Sequence, residues 1–158
     1  MKNIKDYWAA VILIISIIVI AIALIAQYLY NILPCKMCLY QRYPYYILIF
    51  ISLLFFIFPK NKRYYFFLIE ILLIIGLAIT FWHLGIENNF IKGPGGCSSS
   101  LENIQNADEL KTLILKSPII ACNEVNWTFL GISMVLYNFL LQLVLLTINT
   151  IIIFKKNG

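Results

Sequence analysis

Long apolar runs separated by short polar stretches set the pattern of this chain. From Trp8 to Tyr30 no charge interrupts the run, and at about 1.5 Å per residue it reaches roughly 34 Å, against a bilayer hydrocarbon core of about 30 Å. This predicts a spanning helix. Basic Lys2 and Lys5, followed by an A-x-A-like Ala21-Ile22-Ala23, also fit a cleaved signal peptide, but the run is longer than a signal h-region. A second run, Tyr45 to Phe58, ends at Pro59. At about 21 Å it is short for a span, so the membrane segment borrows from Leu39 to Tyr43, which draws Cys38 and Arg42 to the lipid interface. The third run is Tyr64 to His83 and the fourth Trp127 to Phe154. The expected fold is therefore an all-α membrane protein, a four-helix transmembrane bundle forming one domain over residues 1–158. Its spans are expected at about 8–30, 41–58, 64–83 and 127–154, with connecting loops at about 31–42 and 84–126.

Composition agrees with this pattern and excludes the main alternatives. The chain is 62% apolar and 12% charged, where soluble domains average about 45–50% and about 25%. Disorder needs the opposite balance. A net charge of +5 suggests a nucleic-acid partner only if the basic residues cluster on one face, and they do not. Lys2, Lys5, Lys60, Lys62, Arg63, Lys155 and Lys156 instead flank the apolar runs, as topology signals do, and they place both termini inside. The two remaining loops mix Lys36, Arg42, Lys92, Lys111 and Lys116 with Glu87, Glu102, Asp108, Glu109 and Glu124, and so face outside. Aromatic residues near the proposed span ends, among them Trp8, Tyr28, Tyr45, Tyr64, Trp82 and Trp127, fit an interfacial belt.

The second outside loop opens on the breaker segment Lys92-Gly93-Pro94-Gly95-Gly96. Ser99 and Glu102 then fit a capping box, and Leu101, Ile104, Leu110, Leu113 and Ile114 recur at helical spacing until Pro118. A short amphipathic helix is expected there, lying flat on the bilayer or packed on the bundle.

All four cysteines fall in these loops: Cys35 and Cys38 in the first, Cys97 and Cys122 in the second. Outside a membrane such placement favours disulfides. Four cysteines allow three pairings, which spacing alone does not separate. Cys35-Lys36-Met37-Cys38 has the C-x-x-C form of an exchanging dithiol. Pro34 before it suits the first turn of a helix, whose N-terminus favours thiolate, and Lys36 and Arg42 add positive charge. A four-cysteine zinc site usually has two C-x-x-C pairs and this chain has one. Two inert structural disulfides are the other plain reading. A c-type haem needs His directly after Cys38, where Leu39 stands.

One C-x-x-C before the second of four spans, with two further cysteines in the second outside loop, resembles the DsbB family of bacterial inner-membrane disulfide bond formation proteins. Pro34-Cys35-Lys36-Met37-Cys38-Leu39-Tyr40-Gln41-Arg42 is similar to that family's P-C-x-x-C-x-x-x-R signature, and Asn126-Trp127-Thr128-Phe129-Leu130-Gly131 to the stretch opening its last span. The resemblance implies an enzyme that reoxidises a DsbA-like periplasmic thioredoxin-fold oxidase and passes two electrons to a membrane quinone, ubiquinone or menaquinone. It further implies a Cys97–Cys122 disulfide in which Cys97 engages the partner, and a Cys35–Cys38 disulfide in which Cys38 faces the quinone. Arg42 matches the family's quinone-site arginine and His83 a histidine at the outer end of the third span. A vitamin K epoxide reductase-like enzyme shares the cysteine plan, but its C-x-x-C lies late in the bundle. A membrane scaffold with structural disulfides is the reading from another class.

The residues support such chemistry beside the resemblance. A lipid-soluble acceptor needs the last dithiol at membrane depth, where the short second span puts Cys38. Each exchange is thiolate attack through a mixed disulfide. Arg42, four residues after Cys38, shares its helix face and supplies a cation for a quinone oxygen or a thiolate, or else snorkels at the interface. Pro44 works against this by disfavouring α conformation at Tyr43, which breaks the helix there or leaves Arg42 in a loop. His83, the only histidine, suits proton delivery near neutral pH, or caps the span. Glu70, inside the third span, is either a functional intramembrane acid or one that reaches water or Lys62.

Overall fold

The computed structural model describes residues 4–58, 62–93, 122 and 127–154. Four helices, α1 (Ile4–Tyr28), α2 (Lys36–Ile57), α3 (Lys62–Glu87) and α4 (Met134–Phe154), are each long and apolar enough to cross a membrane. Hydrocarbon offers the backbone no hydrogen bonds, so each apolar run must close its own as a helix. A small antiparallel hairpin, β1 (Thr128–Phe129) and β2 (Ile132–Ser133), precedes α4. The chain is thus an all-α four-helix membrane protein, as its pattern predicts. The expected amphipathic helix with its Ser99 and Glu102 box, and Cys97, lie outside the described residues.

The helices pack in chain order, α1 on α2, α2 on α3 and α3 on α4, while α1 and α4 meet only slightly. Ile12, Leu48, Phe55, Phe66, Leu73 and Leu145 fill the core. The outward faces carry Ile14, Ile18, Phe50, Ile71, Ile74 and Ile151, the surface that lipid covers. Close approach of α4 to α3 depends on Gly76, where an added Cβ would stand 2.8 Å from Gln142 Oε1.

One end of the bundle, which may be called the basic end, is held by polar contacts. Asp6 of α1 pairs with Lys62 of α3. Trp8 Nε1 donates to Asn149 Oδ1 at 3.0 Å, and Asn149 Nδ2 donates to Phe66 O at 3.2 Å and to Glu70 Oε2 at 2.6 Å. The Thr150 hydroxyl donates to the other oxygen of Glu70. Glu70 is therefore a helix-to-helix tie, and Lys62, one of its expected outlets, is engaged elsewhere. These bonds join α1, α3 and α4 at this end. Toward the other, cysteine-bearing end α1 and α4 part, and a cavity lies between them.

The largest boundary differences from the sequence expectation are at the starts of α2 and α4. Helix α2 begins at Lys36 and runs through Pro44, so Arg42 is helical. A proline removes one i→i−4 bond and leaves the rest intact, and buried Tyr45 and Leu48 hold the following turn in the core. Helix α4 begins at Met134, seven residues after the expected Trp127 (134 − 127 = 7). Leu130 (φ 52°) and Gly131 (φ 79°) both adopt left-handed conformation, as the two-residue loop of a hairpin requires. Ser133 Oγ then accepts the Leu136 N–H at 3.2 Å and starts the helix as a cap.

Candidate functional site

The C-x-x-C sits where the sequence puts it, at the start of a helix, and the reason is local. Pro34 cannot extend a preceding ladder, and Cys35 takes an extended conformation (φ −70°, ψ 167°) as the N-cap of α2. Its Sγ accepts the Cys38 N–H at 3.3 Å. One turn of helix then brings Cys38 Sγ to 3.0 Å from Cys35 Sγ, with the Cys35 thiol donating. Cys35 is buried, 3% exposed, and Cys38 is half-buried.

Cys122, 2% exposed, packs into the same small apolar cluster as Cys35, Met37 and Ile86, with Cys38 and Ile79 at its edge. A sulfur from the second loop is thus brought to the dithiol of the first. His83, 2% exposed, comes from α3 and sets its Nε2 3.5 Å from Cys35 Sγ. Ligand atoms of Cys35, Cys38 and His83 all lie within 4.8 Å of one another.

The shared S–H···S bond to Cys38 and then burial push the Cys35 thiol up to about 12, the nearby His83 pulling it the other way. The ordinary value is 9.0. Of the reduced pair, Cys35 is therefore the sulfur that keeps its proton at neutral pH. Its alkylation in the reduced protein is expected to climb about tenfold per pH unit from near pH 7 to about pH 10 without levelling. Mass-spectrometric mapping of the modified cysteine across a pH series checks this; a plateau near neutral pH contradicts it.

The cavity between α1 and α4 has a volume of about 220 Å³. Cys35, Cys38, Arg42, His83 and Glu87 reach it, and Ala23 and Ala26 of α1 face Met134 and Val135 of α4 across it. Arg42 lies across the gap to α1, with Nη1 donating to Gln27 Oε1 at 2.6 Å and Nη2 to Ala23 O at 3.3 Å. Glu87 accepts from Ser133 Oγ at 3.1 Å. The structure therefore brings Cys35, Cys38, Cys122, Arg42 and His83 together, five of the six residues singled out from the sequence. The sixth, Cys97, is outside the described residues.

Residues that sequence reasoning passed over complete the surroundings. Gln41, 7% exposed, places Nε2 2.8 Å from His83 Nδ1. Asn138 of α4 donates from Nδ2 to Gln41 Oε1 at 3.1 Å and to Thr80 Oγ1 at 3.4 Å, and its Oδ1 accepts the Tyr45 hydroxyl. A signal was present: Asn138, Gln142 and Asn149 repeat at helical spacing inside an apolar run, and polar side chains in a span usually face the bundle interior.

A buried dithiol with a third sulfur packed beside it, reaching a cavity between α1 and α4, is suited by its chemistry to thiol–disulfide exchange. Comparison with known proteins agrees. A family model described as disulfide bond formation protein DsbB matches residues 5–152. A Rickettsia prowazekii (strain Madrid E) protein, itself described as uncharacterized, is 34% identical over 146 residues, which is 91% of this chain and 85% of that one. No solved structure matches the chain. The chain accordingly belongs to the DsbB family, as a multi-pass membrane oxidoreductase of disulfide bond formation.

Proposed function

We propose that this protein takes electrons from the dithiol of a DsbA-like periplasmic thioredoxin-fold oxidase and delivers them to a membrane quinone, ubiquinone or menaquinone. The observation that carries this reading is the position of Cys38: it borders a cavity between α1 and α4 that also holds Arg42 and His83. A quinone head group fits such a site, which has apolar walls of alanine, methionine and valine and a few convergent polar groups. When bound, the quinone supplies a sink for two electrons and two protons. Arg42 would hold a ring oxygen through a charge-assisted hydrogen bond.

Packing supports one order of sulfur steps. Cys97, paired with Cys122, engages the partner in a mixed disulfide, as the family resemblance implies. Cys122, once released as thiolate, attacks Cys35 Sγ beside it; the Cys35–Cys122 bond forms, the Cys35–Cys38 bond breaks, and Cys38 leaves as thiolate toward the cavity. His83 Nε2 stands 3.5 Å from Cys35 Sγ in this arrangement. The membrane is the bacterial inner membrane, with both termini cytoplasmic and the cysteine loops periplasmic.

The test is quinone reduction by the purified protein in detergent, supplied with a reduced thioredoxin-fold oxidase. Turnover that depends on both is expected. Its absence with several partners and both ring types would favour a scaffold with structural disulfides.

A further inference from the structure

The polar side chains buried behind the dithiol form one continuous series whose direction is fixed at its far end. Thr80 Oγ1 lies 2.8 Å from the backbone carbonyl of Gly76. A carbonyl oxygen only accepts, so the hydroxyl hydrogen points there, and Thr80 Oγ1 is left to accept. The group that reaches it, at 3.4 Å, must be the amide nitrogen of Asn138. Asn138 Oδ1 then faces the Tyr45 hydroxyl and Gln142 Nε2, both able to donate. Turned over, Asn138 would set its oxygen against the Thr80 oxygen and its nitrogen against Gln142 Nε2, two contacts without a hydrogen bond.

With Asn138 fixed, the remaining choices follow in order. Its Nδ2 donates to Gln41 Oε1 at 3.1 Å. That leaves Gln41 Nε2 facing His83 Nδ1 at 2.8 Å. A primary amide nitrogen only donates, so Nδ1 must accept, and in the neutral ring the proton sits on Nε2. His83 Nε2 is the atom 3.5 Å from Cys35 Sγ.

We propose that Thr80, Asn138 and Gln41 are positioning residues that fix His83 as its Nε2–H tautomer and aim that hydrogen at Cys35. Hydrogen bonds link the three to one another and to His83, and each acts through the next. A donor at this place stabilises Cys35 whenever that sulfur leaves a disulfide carrying negative charge. It also takes away the Nε2 lone pair that would let His83 join Cys35 and Cys38 around a metal ion. The catalytic value of the tautomer rests on the function proposed above, but the tautomer itself is observable without quinone or partner, so the two fail separately.

His83 is the only histidine of the chain, so nitrogen-15 labelling of histidine gives one imidazole to read. The experiment is a nitrogen NMR spectrum of the reduced full-length protein in micelles, recorded at mildly alkaline pH. One species is expected, protonated on Nε2 and bare on Nδ1. Asn138→Leu removes the donor that orients Gln41, and Thr80→Val removes the acceptor that orients Asn138. In each the two ring nitrogens are expected to move toward averaged positions of exchanging tautomers, while Thr80→Ser keeps the wild-type spectrum. A wild-type ring protonated on Nδ1, or an even mixture, would overturn the proposal without any variant. So would wild-type spectra from both Asn138→Leu and Thr80→Val.

Discussion

Cys38→Ser is expected to reduce quinone turnover by on the order of 10³-fold or more, to the background set by the thiols that remain. The reason is specific to its place. Of the sulfurs that line the cavity Cys38 is the half-buried one, while Cys35 is 3% exposed and caps the helix. A serine hydroxyl neither forms a disulfide nor carries two electrons onward, and the other sulfurs that line the cavity, Cys35 and Cys122, are only 3% and 2% exposed. Exchange with the soluble partner should survive in part, because Cys97 and Cys122 are untouched. The variant is then expected to oxidise a limited, stoichiometric amount of reduced partner and stop. Steady-state absorbance of the quinone, run beside a thiol titration of the partner, separates the two events. Full turnover in the variant would remove Cys38 from the path.

Arg42→Met should act on the other substrate. The guanidinium donates to Gln27 and Ala23 of α1 and also lines the cavity. Losing a hydrogen bond from a charged donor is worth about 1.5–3 kcal/mol, which converts to roughly a 10- to 150-fold rise in the quinone KM. Arg42→Lys keeps the charge but not the planar fork, and should fall between. The stoichiometric oxidation of partner by the oxidised protein, measured without quinone, should stay near the wild-type level. An unchanged KM in both variants would leave Arg42 as a brace between α1 and α2 alone.

Much of this was legible in the sequence because lipid imposes few solutions. The apolar runs had to be helices, and Cys35 and Cys38 at a helix start follow from Pro34 and the C-x-x-C spacing. What local rules missed depended on neighbours. Pro44 disfavours helix in isolation, yet a membrane helix cannot open its backbone to water, and the turn carrying Tyr45 is held by core packing. The hairpin before α4 turns on Leu130 at positive φ, a conformation no composition rule assigns to leucine. Gln41 and Asn138 read singly as unremarkable polar residues. Only the approach of three helices makes them consecutive members of one series.

The two polar groups of the bundle lie at different depths, and apolar core separates them. Gln142 closes the series behind the dithiol, Asn149 belongs to the Glu70 cluster, and on α4 they are seven residues apart (149 − 142 = 7), about 10 Å along the axis. Leu145 stands between them, and Leu48 and Leu73 belong to the same core, all three 1–2% exposed. The buried interior adds only isolated hydroxyls, those of Ser16 and Ser52, both 0% exposed and without a hydrogen-bond partner among the described residues, too few to line a continuous chain of water. Protons exchanged at the dithiol are then expected to come and go on one face, with the bundle as an electrical insulator, which a proton-leak assay in liposomes checks. Sulfur oxidation of the proposed kind would then run through this protein without short-circuiting the ion gradient that the same membrane stores.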